Sequence, residues 1–200
     1  MKLLLAFARF VDRINEGIGR AAAWLVLLAV IVSTLNALAR YALNIGSNAF
    51  LELQWYLYSA VFLLGAAWTL RRNEHIRIDV VIGRFSPRAQ AWVDILGGVL
   101  FLLPLCILIL WAGIPYALDA IRSGEVSSNA GGLILWPARL LIPVSFALLL
   151  AQGVSEIIKR IAFLLGMIEA SEFQRGGQQN SNTANEEASS GPGDAQPDAR

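Results

Sequence analysis

One cysteine and one histidine occur in 200 residues, and only 16% of the chain is charged. Cys106 stands inside an apolar run, so an intrachain disulfide and a two-thiol redox centre are both excluded, and the thiol reads as a small packing residue. His75, the only histidine, lies outside the apolar segments, which removes haem ligation within a membrane bundle, where axial histidines project from the helices. No His, Cys and carboxylate group has metal-ligand spacing, and no glycine-rich phosphate loop is present. The chain therefore lacks the groups of an enzyme, with no catalytic, substrate-binding or metal-binding residue and no cofactor expected. The net charge of +1 comes with basic residues spread along the edges of apolar runs, which gives no basis for a nucleic-acid partner.

What is abundant is apolar surface, 56% of all residues. A helix needs about 20 residues to cross the hydrocarbon core, and spanning segments must be helical because lipid offers backbone polar groups no partner. Four stretches qualify. Residues 21–39 are uncharged, with Ser33, Thr34 and Asn36 as their polar side chains; residues 53–70 are uncharged, with Gln54, Ser59 and Thr69. Residues 95–118 form the longest uncharged run, in which Pro104 and Pro115 are expected to bend the helix rather than end it. Residues 140–155 are shorter, but Arg139 can snorkel at one end and Ile157 and Ile158 extend the other. The fold expected is an all-α integral membrane protein with spans at about 21–41, 50–70, 92–118 and 137–160 inside a membrane domain of residues 21–168. All six tryptophans fall near span edges, Trp24, Trp68 and Trp92 at one level and Trp55, Trp111 and Trp136 at the other, as indoles favour the headgroup boundary.

Lys2, Arg9, Arg13 and Arg20, then Arg71, Arg72, Arg77, Arg84 and Arg88, then Lys159, Arg160 and Arg175 gather on one side. The other side has Arg40, Arg122 and Arg139. Basic residues collect in cytoplasmic loops, so both termini are expected in the cytoplasm, beneath a bacterial inner membrane. Arg9 interrupts the apolar stretch 3–8 and no small-residue cleavage site follows, so the first 20 residues are expected to be retained rather than removed as a signal peptide. Leu3, Phe7, Phe10 and Ile14, with Leu4, Val11 and Ile18, recur at helical spacing with Arg9, Arg13, Glu16 and Arg20 on another face, the pattern of an amphipathic helix at the inner leaflet over residues 1–20, the alternative being a frayed cytoplasmic extension. Residues 169–200 are rich in Gln, Asn, Ser, Gly and Glu and read as a disordered cytoplasmic tail.

A stand-alone transporter brings polar or ionisable groups to mid-membrane. Here Asn36 is the strongest such residue, and an interhelical hydrogen bond is its expected role. Glu52, Asp94 and Glu156 stand at span ends, within reach of water or headgroups. An apolar four-helix surface without a conduit fits a docking subunit for a larger membrane partner. The competing reading is a self-contained homo-oligomeric carrier or channel lined by Ser33, Thr34, Asn36 and Ser59.

Three stretches carry a family resemblance. Arg40-Tyr41 closes the first span and Glu52 opens the second. Arg71-Arg72-Asn73-Glu74-His75-Ile76-Arg77-Ile78-Asp79-Val80 follows the second. Gly124-Glu125-Val126-Ser127-Ser128-Asn129-Ala130-Gly131-Gly132 runs into Trp136-Pro137-Ala138-Arg139, with Gln152-Gly153-Val154-Ser155-Glu156 beyond. Over residues 10–165 the chain resembles the small membrane subunit, the DctQ-type small permease, of tripartite ATP-independent periplasmic (TRAP) transporters, and the third stretch is similar to the branch associated with mannitol, chloroaromatic compounds or 2-oxo acids. The resemblance implies a subunit bound to a large permease that imports organic acids by sodium-coupled secondary transport, with a periplasmic solute-binding protein as receptor. The four-helix small subunit of tripartite tricarboxylate transporters is the alternative within this class. Structural or partner-contact roles are expected of Arg40, Glu52, His75, Asp79 and Asn36. Arg40 and Glu52 either pair at the periplasmic edge, fixing the first hairpin or meeting the receptor, or stay separately solvated, and His75 and Asp79, four apart, can share a helix face.

Overall fold

The computed structural model describes residues 2–44, 46–72 and 86–167. The loop with His75 and Asp79 and the tail from residue 169 lie outside these. Four helices are long and apolar enough to cross a membrane: α1 (Lys2–Leu43), α2 (Asn48–Arg71), α3 (Pro87–Ser123) and α4 (Trp136–Leu164). Among the described residues there is no β-strand, only a single antiparallel bridge, Val126 to Ile134.

The interior is built from small residues. Ala8, Ala22, Ala29, Ala60, Ala67, Ala91, Ala117, Ala120 and Ala162 are buried, whereas Phe62, Phe101, Trp111, Leu105 and Ile107 face outward. That is the reverse of a water-soluble bundle and suits lipid, where helices gain nothing by hiding leucine and associate through close backbone approach. Gly19 shows the rule: a Cβ there would run into the Trp68 ring. The indoles of Trp24, Trp55, Trp92, Trp111 and Trp136 face outward. Trp68 departs from that belt, because its ring lies on Gly19 and its Nε1 is buried.

α1 runs for 42 residues without a break, so the amphipathic stretch and the first span are one helix of about 63 Å at 1.5 Å per residue. Leu3, Phe7, Phe10 and Ile14 look outward, while Ala8, Val11 and Asn15 are buried. α3 starts cleanly, with Pro87 in its first turn and the Ser86 hydroxyl accepting from the Ala89 N–H at 3.4 Å. Pro104 has no N–H to give the previous turn, and just ahead of it the helix widens into a π turn, Gly98–Leu102, closed by the Leu103 N–H on the Gly98 carbonyl. The helix continues through both Pro104 and Pro115. Gly124, with φ 59°, ends it in the left-handed conformation.

α4 packs against each of the other three helices; α1 and α2 also pair with each other, and α3 lies chiefly on α4. The ends of the bundle are consequently different. One bears the hairpin-like connection 124–135, and the other bears most of the charge.

Candidate functional site

At the charged end, polar side chains bind α4 to its neighbours. Gln152 is fully buried; its Oε1 accepts from Asn15 Nδ2 at 2.7 Å, and its Nε2 donates to Asp12 Oδ1 at 2.8 Å and to Glu156 Oε1 at 3.0 Å. Ser155 Oγ donates to the Ala8 carbonyl at 3.3 Å, and Lys159 Nζ bonds both Asp12 oxygens at 3.2 and 3.1 Å. Arg160, 4% exposed, pairs with Asp94 on α3, and Arg71 on α2 pairs with Glu16 at 2.8 Å. Asp94 and Glu156 are thus largely covered, with side chains 14% and 15% exposed, and each is engaged by a basic residue of α4 rather than left to water or headgroups alone. Two carboxylates beside one lysine leave the Asp12, Glu156 and Lys159 cluster with excess negative charge, which the amide of Gln152 and the hydroxyl of Ser155 help to satisfy.

The hairpin end is organised by Glu52. Its Oε1 accepts from Ser127 Oγ and from Asn129 Nδ2, the latter at 2.8 Å, and its Oε2 accepts from the Leu133 backbone N–H at 2.6 Å. Gly132 sits so close that a Cβ would stand 3.0 Å from Glu52 Oε1. Asn48 Nδ2 and Tyr56 Oη donate to the carbonyls of Ala130 and Ile134 at 3.1 and 3.3 Å, so Asn48, Glu52 and Tyr56, at successive i+4 positions of α2, grip the connection together. Arg139 pairs with Glu125 at 2.7 Å and lies 4.3 Å from the centre of the Tyr116 ring.

The pairing of Arg40 with Glu52 does not form: both carboxylate oxygens of Glu52 hold the 127–133 segment, and Arg40 is exposed, with no ion pair or side-chain hydrogen bond among the described residues. Nor does Asn36 make the interhelical hydrogen bond expected of it among those residues. Thr34 and Thr69 instead bond carbonyls of their own helices at 2.9 and 3.0 Å. Arg40 and Asn36 meet in a groove of about 630 Å³ between α1 and α2, lined with Ser33, Tyr41, Asn44 and Gln54. Sequence reasoning missed Asp12, Asn15 and Gln152 as a cluster. The signal was there: Asp12, Asn15 and Glu16 stand at i, i+3 and i+4, a second polar stripe beside that of Arg9, Arg13 and Arg20.

These features define a multi-pass helical membrane protein whose enclosed charges tie its own helices together. Residues 29–163 match the family model for the DctQ component of tripartite ATP-independent periplasmic transporters, and the chain belongs to that family. It is a small permease component of such a transporter. A Haemophilus influenzae protein assigned as a TRAP transporter small permease is 24% identical over 133 residues, 66% of this chain and 82% of that protein. No solved structure matches the chain.

Proposed function

We propose that this small permease docks to and stabilises the large permease of its transporter, which carries an organic acid inward with sodium after delivery by a periplasmic solute-binding protein. The observation behind this is the internal use of charge: Asp12, Glu156 and Lys159 engage one another, and Asp94 engages Arg160, so these enclosed charges serve helix packing. A moving domain carrying a charged solute needs a fixed frame in the lipid, and outward-facing indoles at helix edges resist tilting of that frame. The arginine-rich end, with both termini, faces the cytoplasm, and the 124–135 connection faces the periplasm where the receptor arrives. His75 and Asp79 belong to the cytoplasmic loop and contact the large permease or pack that loop.

Reconstitution tests the reading. The purified chain alone should move no organic anion into vesicles, whereas vesicles that also hold the large permease, supplied with the receptor and an inward sodium gradient, should take it up. Uptake by this chain alone overturns the proposal.

A further inference from the structure

Isolated buried atoms lack a partner elsewhere among the described residues, Asn15 Oδ1 at the charged end and Trp68 Nε1 beside Gly19, but the α1–α2 groove gathers several left-over polar side chains in one place. Arg40 has no counter-charge among the described residues, and Asn36 no hydrogen bond. Gln54 Nε2 is buried with no partner among those residues. These groups are not confined to the headgroup level. Asn36 lies four residues and Ser33 seven residues from Arg40 on α1, about 6 and 10 Å deeper at 1.5 Å per residue. A phospholipid headgroup can answer Arg40, but at the depth of Asn36 and Ser33 it offers only acyl chain, which neither donates nor accepts. A neighbouring helix can supply groups at both depths, with a carboxylate or carbonyl end facing Arg40 and an amide or hydroxyl one to two turns further in.

We infer that the groove between α1 and α2 is the face on which the large permease docks, and that it receives a helix of that subunit bearing an acceptor opposite Arg40 and a hydrogen-bonding side chain opposite Asn36. This rests on the docking role proposed above. Leucine in place of Asn36 or Arg40 removes groups that hold nothing within the chain, so the variants should fold and melt in detergent like the parent.

The experiment uses the full chain co-expressed with the large permease of its transporter. Co-purification of the unaltered pair comes first; its failure overturns the docking role and this inference together. With the pair intact, N36L/R40L should reduce recovered large permease by roughly tenfold or more, as expected for central interface groups. A photo-crosslinking amino acid at Ala37, in the groove, should capture the large permease on illumination, and the same group at Leu108, outward on α3, should not. Capture at Leu108 but not Ala37, phospholipid adducts alone at Ala37, or full recovery with N36L/R40L would overturn the assignment of this face while leaving the docking role standing.

Discussion

Gln152 joins two helices through one side-chain amide, since its partners Asn15 and Asp12 belong to α1 and Glu156 to its own α4. Gln152→Leu keeps most of the volume and removes every one of these bonds, leaving the Asn15 amide and the Asp12 carboxylate short of partners in a closed interior. The expected loss is about 1–3 kcal/mol, seen as a lower melting temperature in detergent, because orphaning a buried polar group costs its desolvation. An unchanged melting temperature would show that water reaches the cluster. At this scale the sequence was a partial guide. It marked Glu52 as a residue of consequence from its place at the head of a span, but its partners come from a segment some 80 positions away, which no local pattern reveals. Arg40 and Asn36 were recognised by type and depth, yet their lack of partners within the chain depends on how α1 and α2 pack.

The helices themselves were easier to read, since long uncharged apolar runs have few alternatives in lipid. What escaped was how they meet. Gly17 and Gly19 look alike in sequence; in the structure nothing lies within 4 Å of a Cβ on Gly17, and the Trp68 ring occupies that place at Gly19. Gly17→Ala should therefore stabilise the chain by about 0.5–1 kcal/mol through helix propensity. Gly19→Ala should destabilise it by about 1–3 kcal/mol by forcing α1 away from α2. Thermal unfolding of the two variants side by side checks both signs. The continuity of α1 was hidden for a related reason: the basic residues that punctuate its first half resemble a boundary, although nothing among them breaks a helix.

For the molecule as a whole, the uneven distribution of arginine predicts the orientation proposed above, and single cysteines can map it in a Cys106→Ala background. A cysteine at Ser128 should react with a membrane-impermeant reagent applied to intact cells whose outer membrane has been opened, and one at Ser86 only after the inner membrane is broken. The opposite result would invert the topology. A separate consequence follows from α4 being the helix on which all the others pack. The ribosome delivers it last. α1 and α2 can close on each other early, but α3 has no principal neighbour, and Asp12 and Asn15 lack their α4 partners, until the final span has left the insertion machinery. The nascent protein thus passes through a stage in which an acidic side chain waits unmatched near the bilayer edge, and its maturation is a single late event that locks three earlier helices at once.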